Sequence, residues 1–366
     1  MPSVGAIATF LDKFAPPELA ADWDNVGLLL GDPIAEVQRM ITCLTVTPEV
    51  VAEATESGVQ LIVAHHPILF RGVKRLSTTT PDGKLLWPLA RAGIAVYSPH
   101  TAFDNTAGGI NDIISRRIGL SDVTPLRSVT TRKHKVVVFV PDGDLAKVAD
   151  AMFAAGAGII GQYSQCSFRL PGTGTFFGSD TTNPTVGQKG RREEVAEWRL
   201  EVVCPDKCLS EVVRAMRFAH SYEEPAFDVY DLASERSGGH EGRIGHWPNP
   251  VSLAEMAKQV KTALGVASLQ IVGDPNALIR RVAVACGAAG DFLSDAGKRN
   301  ANAFLTGEMR FHDYLRAKEM GVALVLPGHY ATERPGVEVL ATILQREWPG
   351  LPIWASRRET DPVICL

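Results

Sequence analysis

Two adjacent histidines close an apolar run in Leu61-Ile62-Val63-Ala64-His65-His66-Pro67. A run of that length stopped by proline reads as a buried parallel strand ending in a loop. Open α/β sheets collect their ligands at the carboxyl ends of such strands. Alone, a His-His doublet is more often an idle polar loop than a site. Three further strands, however, deliver the same residue types. Ile94-Ala95-Val96-Tyr97 leads to His100, Thr101 and Asp104. Ala303-Phe304-Leu305 leads to Thr306-Gly307-Glu308, with His312 just beyond, and Ala323-Leu324-Val325-Leu326 leads to His329, with Glu333 four residues on. Parallel-sheet geometry would gather these groups into one crevice. Imidazoles mixed with carboxylates suit zinc, manganese or iron better than calcium or magnesium, which prefer oxygen alone. The donors exceed what one tetrahedral ion needs, which fits two metal ions about 3.5–4 Å apart holding a water whose pKa falls toward ~7.

Blander readings exist for several of these residues. His100 either ligates or braces its loop through its ring nitrogens. His312, at helical spacing from Glu308, makes a local polar pair on one helix face. His329 and Glu333 would share a helix face if helical, but Pro335 disfavours helical geometry at Arg334. The pair is therefore expected in a turn, with the helix beginning near Pro335. His134, His220, His240 and His246 read as incidental. Cys286-Gly287-Ala288-Ala289-Gly290 after a strand is either an anion-accepting set of backbone amides or a tight turn. Gly172-x-Gly174 precedes no helix start, Trp23-Asp24-Asn25 has no spacing argument of its own, and neither a P-loop nor a Gly-x-Ser-x-Gly elbow occurs.

The elements that must position these groups fall into three stretches. Residues 1–127 and 236–366 alternate strand and helix patterns, predicting α/β lobes with mainly parallel sheets. Between them, 128–235 reads strand, helix, strand, strand, helix, strand, the ferredoxin-like order of an inserted α+β domain. Within it, Ser164–Leu170 is the second expected strand, and Gly172, Gly174 and Gly178 mark a flexible turn region. Both flanks of the insert are polar, as a domain placed in a surface loop requires.

With 366 residues, 45% hydrophobic and 21% charged, the chain has a globular composition and room for two or three domains. A formal charge of -4 and no long basic run give no support to a nucleic-acid partner. No apolar stretch approaches a membrane span. The start carries Asp12 and Lys13 within its apolar pattern and reads as a helix, so the expected location is the cytoplasm. Six cysteines without a CxxC pair read as scattered reduced thiols.

Taken together, WDNVGLLLGD (23–32), LIVAHHPILFRGVKRL (61–76), YSPHTAFDNTAGGIND (97–112), TGEMRFHD (306–313) and GHYATE (328–333) resemble the NGG-one-interacting-factor-three-like proteins, many of whose bacterial members are named GTP cyclohydrolase I type 2 homologues. The resemblance spans nearly the whole chain. It implies two α/β lobes around a dinuclear metal centre, assembled into toroidal homohexamers. It places metal ligands on His65, His66, Asp104, His329 and Glu333, with Glu333 bridging. GTGTFFGSDTTNPTVGQKG (172–190) resembles the PII/CutA-like insert of the longer members. This chain departs from relatives at Glu308, where many have Asp, and at Ala288-Ala289, where Gly or Ser is frequent.

The expected function is a metal-dependent hydrolase acting on a small molecule, a nucleotide or purine ring or a phosphoester. His100 or Glu308 would carry protons, and Thr101 and His312 would contact substrate. The alternative is a non-catalytic metal-binding protein whose insert mediates regulation or assembly.

Overall fold

The computed structural model describes residues 1–73, 75–161, 163–233 and 235–364. Lys74 of the 61–76 segment, Ser234 of the polar flank and the thiol of Cys365 lie outside these residues. The chain divides into one unit made of Met1–Val129 with Ser237–Leu366, and a second made of Thr130–Arg236.

The elements of the first stretch are α1 (Val4–Phe14), β1 (Gly27–Leu30), β2 (Met40–Cys43), α2 (Pro48–Glu56), β3 (Leu61–Ala64), α3 (Pro81–Ala92), β4 (Ala95–Ser98), α4 (His100–Asn105), α5 (Ile110–Arg117) and β5 (Ser121–Thr131). Their starts follow local chemistry. Ser3 accepts from the Ala6 N–H at the head of α1, and Thr47 and Thr80 cap α2 and α3 ahead of prolines whose missing N–H is not needed there.

The insert runs β6 (Lys133–Pro141), α6 (Leu145–Ala154), β7 (Phe168–Phe177), β8 (Arg192–Pro205), α7 (Leu209–Ala219) and β9 (Phe227–Asp231). Its sheet has the order β7-β8-β6-β9, with each pair antiparallel. Val136, Val138 and Val140 of β6 and Leu200 and Val202 of β8 share a core with Val148, Met152, Val212 and Met216 of the two helices. Of the glycines expected to form a flexible turn, Gly172 and Gly174 instead lie inside β7 and Gly178 follows it, and the strand starts later than expected. At Gly174 the Glu197 carboxylate of β8 lies over the strand, 2.0 Å from where a Cβ would stand, so a larger residue there would have to turn that side chain aside. His134 lies between Asp231 and Asp206, and His220 bonds the Phe139 carbonyl, so both serve the insert's own structure.

The chain then continues with β10 (Glu235–Ser252), α8 (Leu253–Leu264), β11 (Gln270–Val272), β12 (Leu278–Val284), α9 (Leu293–Lys298), β13 (Ala303–Leu305), α10 (Phe311–Glu319), β14 (Ala323–Leu326), α11 (His329–Glu347) and β15 (Ile353–Ala355). The first unit holds two mixed sheets, ordered β1-β4-β3-β2-β15 and β11-β14-β13-β12-β10-β5. Strands β15, β2, β3 and β4 run parallel, as do β12, β13 and β14. The sheets exchange strands across the sequence: β15, from the end of the chain, completes the first, and β5 joins the second. The largest hydrophobic cluster of the unit is drawn from both stretches, from Val4 to Ile353, with two smaller ones beside it.

One expectation is overturned in a way that matters. His329 and Glu333 are not in a turn; α11 starts at His329 and carries Pro335 inside it. An internal proline costs a helix ~3 kcal/mol. Val337, Leu340 and Leu344 are buried on the same helix, and each contributes ~1.5–3 kcal/mol. Tertiary burial therefore outweighs the local penalty, and the His329 and Glu333 side chains stand one turn apart on one face.

Candidate metal centre

The strand ends hold the cluster in place through the backbone. The His65 and His66 N–H groups donate to the carbonyls of Cys43 and Leu44 at 2.9 and 2.8 Å, and the Ser98 hydroxyl donates to the His65 carbonyl at 2.6 Å. This leaves the imidazoles to point into the junction of the two sheets. The His65 ring lies 5.2 Å from the rings of both His66 and His100, and the His66 ring lies 5.4 Å from that of His329.

His65 is 1% exposed, and neither of its ring nitrogens has a hydrogen-bond partner. A buried polar atom left in this state costs ~1–3 kcal/mol. Nε2 faces Asp104 Oδ1 at 3.6 Å, too long for a hydrogen bond. Burial pushes the imidazole's pKa well below its ordinary value, so it stays neutral. A metal ligand must be neutral, and a bound ion would satisfy one of the two orphaned ring nitrogens. The donor set around it therefore fits a divalent ion.

The other rings are anchored through Nδ1 and turn Nε2 inward. His66 Nδ1 meets the Thr45 hydroxyl at 2.8 Å, and His329 Nδ1 meets Glu308 Oε1 at 2.9 Å. Both Nε2 atoms reach Glu333 Oε2 at 3.0 Å. Two groups of three have ligand atoms within 4.8 Å of one another: His65, His66 and His100, and His66, His329 and Glu333. His66 belongs to both.

The electrostatics show how crowded the charge is. Burial raises the Glu333 carboxyl, but hydrogen bonds from His329 and His66 overcome it and hold it well below the usual range. The bond to Glu333 pushes His329 up to about 9. Burial, then the Glu333 charge, pushes Asp104 up to about 7. For His100, burial lowers the pKa, and the Asp24 bond with the surrounding carboxylates raises it further than that.

Other residues expected at the site are placed differently. Glu308 stands behind His329, 61% exposed, and α10 begins only at Phe311, so no helical face joins Glu308 to His312. His312 is exposed, with the Phe311 ring beside it. The Thr101 hydroxyl donates to Asp24 and accepts from the Ala21 N–H. The 286–290 segment is a tight turn. Its Gly287 and Ala289 N–H groups donate to the Thr332 and Thr306 hydroxyls and are not available to an anion. Gly287 has a φ of +64°, and a Cβ there would lie 2.2 Å from Glu333 Oε1. Gly287→Ala should therefore displace Glu333 and reduce zinc binding with little loss of helix content; zinc affinity equal to wild type by calorimetry would contradict this.

The sequence reading missed the part that four residues play here, although Cys286 and Asp24 stood in segments it named. Cys286 donates to Asp104 Oδ1 at 3.2 Å, Asn111 ties the Cys286 N–H to the Asp104 carbonyl, Thr45 anchors His66, and Asp24 anchors His100. Of these, Thr45 was findable by the strand-end argument, because it follows the parallel strand β2.

Fold and site together define a mixed α/β protein with histidine and carboxylate groups able to hold metal at a sheet junction. The chain belongs to the Duf34/NIF3 (NGG1p interacting factor 3) family, which it matches over residues 2–362. It is 37% identical to a Halalkalibacterium halodurans protein named GTP cyclohydrolase 1 type 2 homolog, over 97% of each chain. It is 38% identical to a Mycobacterium tuberculosis protein of the same name, over 96% of this chain and 94% of that one. A crystal structure described as a Bacillus cereus protein related to NIF3 aligns with a TM-score of 0.68 at 33% identity, covering 100% of this chain and 99% of that one. Among the described residues, no helix is long and apolar enough to cross a membrane.

Proposed function

We propose that the chain binds two divalent ions, of zinc, manganese or iron, through His65, His66, Asp104, His329 and Glu333, and acts as a hydrolase. The unpartnered, buried His65 carries this reading. Such a pair of ions would supply an acidified water and stabilisation of the developing oxyanion. The protein's share is to orient and to handle protons. Glu308 accepts from His329 Nδ1 and so favours its Nδ1-protonated tautomer, while the Thr45 hydroxyl, able to donate or accept, orients the His66 ring from its outer nitrogen. His100 is the residue placed to accept a proton beside the cluster, and Glu308 acts by holding His329. The relatives' names favour a nucleotide or purine-type substrate. A homohexamer, implied by the family resemblance, belongs to the same proposal. The insert, 128–235, stands outside this chemistry as a PII/CutA-like domain, since its core comes from its own residues.

A turnover screen of the metal-loaded protein against nucleotides, cyclic amides and phosphoesters tests the reading. Activity lost in His65→Ala supports it. Metal bound without turnover favours the non-catalytic alternative.

Metal binding should also release protons. Asp104 and His329 hold theirs near pH 7 and 9 in the metal-free state, and ligands must shed them. Apparent zinc affinity should therefore rise with pH through that window and weaken below it. Calorimetry in buffers of different ionisation enthalpy should give different heats; identical heats would contradict the prediction.

A further inference from the structure

One buried carboxylate beside the cluster has no part in the chemistry above. Asp24 lies between α1 and β1, with its side chain 0% exposed. Its oxygens meet four donors. Oδ1 accepts from the Asn25 N–H at 2.8 Å and lies 2.7 Å from His100 Nδ1. Oδ2 accepts from the Thr101 N–H at 3.1 Å and the Thr101 hydroxyl at 2.5 Å. Each oxygen thus takes a backbone N–H, a donor that cannot become an acceptor, and an ionised carboxylate only accepts. Burial acts to raise this carboxyl, but the His100 and Thr101 bonds prevail and hold it at about 2. The hydrogen between Asp24 and His100 therefore belongs to Nδ1.

His100 is itself held in an unusual conformation. Its φ is +28°, a region that L-residues rarely occupy and that persists where the surroundings impose it. The Trp23 ring packs edge-on at 6.0 Å, and the rings of His65 and His66 lie at 5.2 and 5.6 Å. Among the described residues, Nε2 has no hydrogen-bond partner. A loop brace needs only Nδ1, and an asparagine side chain would serve as well. The second nitrogen, on a ring that stands against those of His65 and His66, is what a brace does not use.

We infer that Asp24 is a positioning residue that holds His100 as the Nδ1-protonated tautomer, so that Nε2 faces the ligand cluster as a lone-pair acceptor. Carboxylate–histidine pairs set ring orientation and basicity in this manner elsewhere. The acceptor suits a hydroxyl, amide or water hydrogen on a molecule held at the cluster. That use rests on the proposed metal-site reading; the tautomer does not.

The test is ¹⁵N NMR of the full chain labelled at histidine, recorded metal-free at a pH where the rings are neutral and again with zinc alone. His100 is assigned by the signals lost in His100→Asn, which keeps a donor for Asp24 and lacks Nε2. The expected wild-type pattern is protonated Nδ1 and unprotonated Nε2. In Asp24→Asn the His100 resonances should shift toward the opposite tautomer while the bound zinc, by elemental analysis, stays at the wild-type level. An Nε2-protonated His100 in the wild type, or an unchanged pattern in Asp24→Asn, would overturn the inference. If Asp24→Asn does not fold, the wild-type spectrum decides alone. Absence of zinc from the wild type would sink the metal reading and leave the tautomer readout intact.

Discussion

Replacing Asp112 by alanine should destabilise the protein by about 3–5 kcal/mol, the cost of leaving a buried charge without its partner. Arg243 is 3% exposed. Its Nε and one terminal nitrogen donate to the two Asp112 oxygens at 2.5 and 2.8 Å, while carbonyls of Thr106, His240 and Gly242 take the remaining hydrogens. Those carbonyls are dipoles and cannot replace the negative charge. The same pair sets a pH dependence. Burial would raise the Asp112 carboxyl, but the Arg243 bonds and charge lower it. Because the folded value is depressed, the stabilisation is fully present above the ordinary carboxylate pKa and is lost as pH falls through the folded one. Urea denaturation at neutral pH should show the full deficit in Asp112→Ala, with the gap to wild type closing in acid. A neutral-pH difference under about 1 kcal/mol would mean that the carbonyls suffice.

Glu333→Gln should lower zinc affinity by more than ~100-fold, beyond the 10–100-fold typical of losing an outer partner of a ligand. Glutamine fits the space, but it removes the charge and sets an amide against two imidazoles that now share Oε2. His100→Ala removes a residue that the proposal keeps off the ligand set, and its effect on zinc affinity should be smaller. Equal losses in competition titrations would deny Glu333 its shared role.

The fold class was legible in the alternation of strand and helix patterns, while the long-range pairings within it were not. Parallel strands place their carboxyl ends side by side, so the candidates from His65 to Glu333, with His100, Glu308 and His312 among them, could be grouped without knowing any contact; the choice of five ligands came from the family resemblance. The α11 helix was misplaced because a local proline rule was applied where burial of Val337, Leu340 and Leu344 decides. Asp24 was opaque for a different reason. Its partners are a histidine and a threonine some 76 and 77 residues away, and nothing in Trp23-Asp24-Asn25 marks that distance. The exchange of β5 and β15 between sheets was equally hidden, because strand pairing across hundreds of residues leaves no local pattern.

Whether the cluster holds metal decides everything proposed for it. Protein purified without chelator should contain about two divalent ions per chain by elemental analysis, and His65→Ala should contain fewer at unchanged secondary structure. A wild-type protein that carries none, and takes up none when zinc is supplied, would contradict the metal reading.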